Sequence, residues 1–215
     1  MRFSKFGLMP ALGWLLLSPP AGAMADDSVG AGIYQHCKTC HGTAGEGGSN
    51  GKYPRIAGLS QDYLQRQLNH FKLRKRINKP MVPIFKNWRF DQDAMAEVSA
   101  YIAAMPIPDI AGFEPGAERL TDFDSREEFD GLGEELFVDN CAQCHGEDAQ
   151  GRLDKEAPPL VNQYPAYLMK QIADFVAGRR EHEHAAKMFG EMYQEEIEAI
   201  LTHVGQLAKS SNGGN

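Results

Sequence analysis

Two motifs of identical spacing, Cys37-Lys38-Thr39-Cys40-His41 and Cys141-Ala142-Gln143-Cys144-His145, together use all four cysteines of the chain. Two thiols one helical turn apart can each form a thioether with a vinyl group of haem, and the histidine that follows can reach the iron. Structural zinc or a redox dithiol would not need a histidine directly after the second cysteine, twice over. A thioredoxin-like motif would also sit in a βαβ pattern that this sequence lacks. The chain is therefore expected to carry two covalently bound haem c groups, one on Cys37 and Cys40 and one on Cys141 and Cys144.

The motifs are 104 residues apart, and the same offset continues past them. Gly42 maps to Gly146, Gly47 to Gly151, Pro54 to Pro158, Tyr63-Leu64 to Tyr167-Leu168, Gln67 to Gln171, Phe71 to Phe175 and Arg76 to Arg180. The shared Tyr-Leu-x-x-Gln-(Leu/Ile)-x-x-Phe pattern puts its apolar residues on one face of a helix. Two copies of one unit follow. Each unit reads as three helices: one leading into the cysteine motif, one carrying the Tyr-Leu…Phe face, and a closing helix over Asp93–Ala104 or Gln194–Leu207. Strand alternation is not apparent, so the fold is expected to be mostly α.

The domain plan is 1–25 leader, 26–106 first unit, 107–130 acidic linker and 131–215 second unit. Arg2 and Lys5, the apolar run Leu8 to Leu17 and the small residues ending Ala23-Met24-Ala25 form a secretory signal pattern with cleavage before Asp26. A periplasmic location is expected from it. The linker holds eight acidic residues and two arginines and reads as solvated, with Phe113 and Phe123 able to pin it to a surface. Units of this size bury too little on their own, and a haem would supply the missing apolar mass. Residues 26–106 hold 11 Lys+Arg against 7 Asp+Glu, whereas residues 107–215 hold 9 against 22. That split is read as a solubility feature or as a dipole that orients docking. So acidic a chain is a poor partner for nucleic acid.

The Cys-x-x-Cys-His-Gly pairs, the segment Pro54-Arg55-Ile56-Ala57-Gly58, the Tyr63-Leu64-x-x-Gln67-Leu68 pattern and Phe71-x-x-x-Lys75-Arg76, with their second copies, resemble tandem class I c-type cytochromes. The arrangement is similar to the dihaem cytochrome c4 family. The resemblance implies three to four helices around each haem and His41 and His145 as proximal ligands. It also implies that the Pro54 and Pro158 carbonyls accept the imidazole Nδ1–H groups, which fixes tautomer and ring orientation, and that Ile56 and Leu160 pack on the haems. Arg55, Arg76, Arg180, Tyr63 and Tyr167 are read either as ordinary surface residues or as partners of haem propionates near the contact between the units.

An electron-transfer haem with a high potential takes a methionine sulfur opposite the histidine. In the first unit Met81 is the expected ligand, in Asn78-Lys79-Pro80-Met81-Val82-Pro83, where the prolines favour an extended loop. Met95 and Met105 read as core and His70 as surface. In the second unit Met188 is the expected ligand, with Met192 next and a histidine last. His182 and His184, in Arg179-Arg180-Glu181-His182-Glu183-His184, read as a charged, solvated turn. The repeat offset between Met81 and Met188 is 107, and it falls to about 102 along the closing helix, so the register there is uneven.

The expected function is that of a periplasmic dihaem electron carrier working between periplasmic or membrane-bound redox proteins. The alternatives are the electron-transfer subunit of a periplasmic dehydrogenase complex and a dihaem enzyme, either a peroxidase or a thiosulfate-oxidising dehydrogenase. An enzyme would need an exchangeable iron position, and no spare cysteine is present to serve as an unusual ligand.

Overall fold

A computed structural model describes residues 28–87, 90–183 and 185–212. The leader expected over 1–25 lies outside the described residues, as does His184. The described chain is helical, with isolated β-bridges and no strand. The helices are α1 (Val29–Tyr34), α2 (Lys38–His41), α3 (Gln61–Lys72), α4 (Val82–Asn87), α5 (Gln92–Ala103), α6 (Ala117–Leu120), α7 (Arg126–Asn140), α8 (Ala142–His145), α9 (Pro165–Val176), α10 (Ala185–Glu191) and α11 (Gln194–Asn212). No described helix is long and apolar enough to cross a membrane.

The duplication seen in the sequence is a duplication of structure, in which α1–α5 correspond to α7–α11. Each unit has five helices rather than three, because the cysteine motif forms a single turn of its own and a short helix precedes each closing helix. Side-chain caps set several starts. Ser28, Asp91 and Ser125 accept from the backbone N–H three residues on, at 3.1, 2.9 and 3.1 Å. The segment around Met81 is not extended. Lys79–Met81 forms a 3₁₀ turn and α4 follows directly. Pro80 and Pro83 sit in first turns, where an N–H has no partner to lose.

In each unit the first helix crosses the closing helix at a glycine. A Cβ on Gly30 would lie 2.4 Å from the Glu97 carbonyl oxygen, and one on Gly133 would lie 2.2 Å from that of Ala199. An aromatic pair flanks each crossing: Tyr34 with Tyr101 at 5.6 Å between ring centres, and Phe137 with His203 at 5.3 Å. Met95 and Met105 are core residues, as their helical positions suggested.

The 107–130 segment is a docked strap instead of a free linker. Ile110 is buried, Gly112 packs on the Gly205 backbone of α11, Arg119 pairs with Glu198 at 2.8 Å, and the Phe123 ring meets Phe129 edge-on at 5.0 Å. Helix α7 already begins inside it, at Arg126, capped by Ser125.

Candidate functional site

Each cysteine motif is a turn of helix that ends at a glycine with positive φ, Gly42 or Gly146, both at +83°. The chain then loops back through Gly47 or Gly151. A Cβ there would lie 2.6 Å from Pro54 or Pro158 backbone atoms, so only glycine lets the proline strand lie this close. The loop brings the Pro54 carbonyl 3.0 Å from His41 Nδ1 and the Pro158 carbonyl 2.9 Å from His145 Nδ1. A carbonyl oxygen can only accept, so Nδ1 carries the proton and Nε2 keeps its lone pair for a metal. Burial holds both imidazoles below the usual histidine range, and therefore neutral.

No disulfide joins the cysteines. Burial, with Cys40 adding to it, pushes the Cys37 thiol up to about 11, and burial with Cys144 pushes Cys141 up to about 12. Among the described residues, no three His, Cys, Asp or Glu side chains converge as a metal cage.

Both motifs open into one cavity of about 670 Å³ that runs between the units. His41, Met81, Ile56 and Leu68 line it from the first unit, and His145, Met188, Leu160 and Phe175 from the second. Met192 is not in this wall and packs instead against the second core with Leu136 and Leu207. His70, expected at the surface, is half-buried and lines the cavity. His182 is exposed, as expected of a solvated turn, and also borders the cavity, with its ring centre 6.2 Å from that of His145.

Where the units meet, the paired residues of the repeat exchange bonds. Arg76 donates to Tyr167 Oη and Gln171 Oε1, both at 2.7 Å, and Arg180 donates to Tyr63 Oη at 2.8 Å and Gln67 Oε1 at 3.3 Å. Each guanidinium also lies over its own unit's phenylalanine, Arg76 over Phe71 at 4.5 Å and Arg180 over Phe175 at 5.0 Å. The backbones join through an antiparallel bridge between Arg76 and Arg180, and Ile77 N–H donates to Arg179 O at 2.8 Å. Burial alone would raise the Tyr167 phenol, but the two guanidinium charges outweigh it and lower its pKa. Arg55 is 1% exposed and crosses the contact, donating to Asn162 O at 2.6 Å, Val161 O at 3.3 Å and Ala57 O. Gln163 returns two bonds to the Arg55 backbone, at 3.0 and 2.9 Å.

The donor set fits haem. Thiol pairs one turn apart, each beside a neutral imidazole with a free Nε2, face an apolar cavity. The Arg76 and Arg180 hydrogen bonds among the described residues go to neutral oxygens, and the buried Gln171 Nε2 has no partner. Two cations and an orphaned donor on the cavity wall suit carboxylates. A family model described as cytochrome c matches residues 28–106 and 132–208. The chain belongs to the cytochrome c family.

Two relatives match over nearly the whole length. One is a thiosulfate dehydrogenase electron acceptor from Stutzerimonas stutzeri (strain A1501), 28% identical over 82% of this chain and 81% of that protein. The other is a cytochrome c4 from Pseudomonas aeruginosa, 26% identical over 92% and 94%. The crystal structure of reduced cytochrome c4 from Pseudomonas stutzeri superposes with a TM-score of 0.65 at 22% identity, covering 82% of this chain and 95% of that one. The chain is thus a dihaem cytochrome of the c4 type, with two haem c groups and an electron-carrying role.

The Arg55 clamp was not legible as such, although Arg55 stands inside the repeated Pro54 segment. Gln163 and Asn162 carried no sequence signal.

Proposed function

We propose that the chain is an exported, periplasmic electron carrier without catalytic activity of its own. Cys37 and Cys40 would hold one haem and Cys141 and Cys144 the other, with His41 and His145 offering their Nε2 lone pairs to the iron. When bound, each haem supplies a one-electron couple between ferric and ferrous iron. The single observation that carries this reading is the repeated pairing of imidazole Nδ1 with a proline carbonyl, both sites opening on one shared cavity. Those carbonyls fix ring orientation and raise the basicity of Nε2. Met81, half-buried on the same cavity wall, would supply its sulfur to the iron of the first site. In the second site a sulfur from Met188 and an imidazole from His182 both border the cavity. Arg76, Arg180, Tyr63 and Tyr167 would offer cations and hydroxyls to the haem propionates, which would favour the ionised carboxylates. The surrounding apolar side chains exclude water and so reduce the reorganisation that accompanies charge transfer.

The donor reading that the relatives favour is a sulfur-compound dehydrogenase, since one of them is named for accepting electrons from thiosulfate dehydrogenase. The charge split supports separate docking faces, the basic first unit for one partner and the acidic second for another. The test is the mass of the processed protein together with its redox behaviour. A mass two haem groups above the polypeptide from Asp26, and reversible reduction without turnover of peroxide or thiosulfate, is the expected result. A colourless chain, or turnover by the isolated protein, would defeat the reading.

A further inference from the structure

Residues 63–90 contain eight lysines and arginines and no aspartate or glutamate. The matching stretch of the second unit, 167–191, is balanced, with four cations and four carboxylates. In the first unit Lys72, Arg74, Lys75, Lys79 and Lys86 are exposed, and among the described residues no ion pair engages any of them. The rest of the chain treats its cations differently. Arg119, Arg126, Arg152, Lys170, Arg179 and Lys209 each pair with a carboxylate. The uncompensated charge is therefore concentrated on one segment.

The same segment exposes apolar side chains between its cations. Leu73 is 64% exposed, Ile77 53% and Val82 39%. The two ends of the segment are drawn together, because Phe71 at the end of α3 packs on Phe85 of α4 at 6.2 Å and Lys72 Nζ donates to the Phe90 carbonyl. Asn78, Pro80, Met81 and Ile84 line the cavity, while Lys79, Val82 and Lys86, interleaved with them, face solvent. One layer of chain thus has the cavity on its inner side and the basic, partly apolar face on its outer side.

We propose that the outer face of residues 72–86 is the surface on which the first unit docks an acidic redox protein. Carboxylates of the partner would compensate Lys72, Arg74, Lys75, Lys79 and Lys86, and its apolar surface would cover Leu73, Ile77 and Val82. Long-range charge attraction speeds and orients such an encounter, and the apolar contacts close the gap between the two proteins. An anionic membrane would attract the same cations, but it brings no redox group to the thin wall behind them. The proposal rests on the electron-carrying role given above, and names the face and the partner chemistry for one of its two units.

The test uses the full-length, haem-loaded protein, with flavodoxin, a small acidic flavoprotein, as the probe. Haem content as pyridine haemochromogen is measured first, and fewer than two haems per chain overturns the carrying role. Binding of oxidised flavodoxin, followed by calorimetry, reads the docking face separately. Association at low ionic strength that is lost at about 0.5 M salt is expected. Lys75→Glu with Lys86→Glu should weaken it about tenfold and slow reduction by flavodoxin hydroquinone by a similar factor, one electron passing from the flavin to one ferric iron. Leu73→Ser with Ile77→Ser should weaken binding while leaving its salt dependence in place. Arg152→Glu with Lys209→Glu changes the net charge by the same amount on the second unit and should leave binding and rate within about twofold. Equal effects from the two charge reversals, or binding indifferent to salt, would overturn the proposal. So would loss of binding to phosphatidylglycerol vesicles with flavodoxin binding intact, which would make this a lipid face. A salt-sensitive dimer in sedimentation that Lys75→Glu with Lys86→Glu abolishes would assign the face to a second copy of the chain instead.

Discussion

The two units share a frame and differ in the segment between the seam arginine and the closing helix. In both, a histidine is aimed by a proline carbonyl and an arginine reaches the opposite unit's tyrosine. Between that arginine and the closing helix they diverge. Gln92 follows Arg76 by 16 residues and Gln194 follows Arg180 by 14. The longer first segment carries Pro80, Met81 and an aromatic cluster of Phe71, Phe85 and Phe90. The shorter second one carries Glu181, His182 and Glu183, with His182 on the cavity wall. The entry helices differ as well, α1 with 6 residues and α7 with 15. Positions that orient the proximal side were kept in register, and the distal side was free to change length and chemistry.

The largest effect expected from testing that comparison comes from removing each haem separately. Cys37→Ser with Cys40→Ser, or Cys141→Ser with Cys144→Ser, should halve the haem absorbance per chain and cut helicity in the affected unit by far-ultraviolet circular dichroism. The first unit should lose more of its order, because its entry helix is a turn and a half while α7 and α11 form a long pair. Equal loss from both would break the asymmetry.

Arg55→Leu comes next. It removes a buried cation and orphans three carbonyls in both units, which should cost about 3–5 kcal/mol in urea unfolding. A change below about 1 kcal/mol would mean the units are held together elsewhere. Gly30→Ala and Gly133→Ala should each cost about 1–3 kcal/mol, since either Cβ meets a backbone carbonyl that cannot move aside without parting two helices. Measured in the same way, near-equal costs would extend the shared frame to both helix crossings. The smallest effect is the coupling between Arg76 and Tyr167 against that between Arg180 and Tyr63. Double-mutant cycles with alanine and phenylalanine should give about 1 kcal/mol for each pair, the same within error.

What could be read from the amino acids alone divides along the same line. The cysteine motifs and the faces of α3 and α9 are encoded locally and repeated at a constant 104-residue offset, so periodicity and spacing reveal them, while the role of the two prolines was implied by the family resemblance. The strap over 107–130 was legible only in part. Its acidic composition describes a solvated segment and Phe123 was readable as a pin, which its ring contact with Phe129 bears out, while Ile110 is buried and Gly112 packs on Gly205 of α11, a partner distant in sequence. Four charged neighbours mark a surface turn around His182, and the ring is exposed as such a turn implies, while its place beside the cavity depends on the path of the chain after Arg180. Met81 stands on the cavity wall, but the conformation around it was not legible, because Pro80 and Pro83 suit the first turn of a helix as well as they suit extended chain.

The reciprocal bonds across the seam have a consequence for ancestry and for engineering. Arg76 meets Tyr167 while Arg180 meets Tyr63, and the bridging backbones run antiparallel at the axis between them. That is the signature of an isologous surface, one whose donor and acceptor sets are both present on a single copy. A lone ancestral unit would therefore have been able to pair with itself before any fusion, and a chain severed within the strap should reassemble from its two fragments.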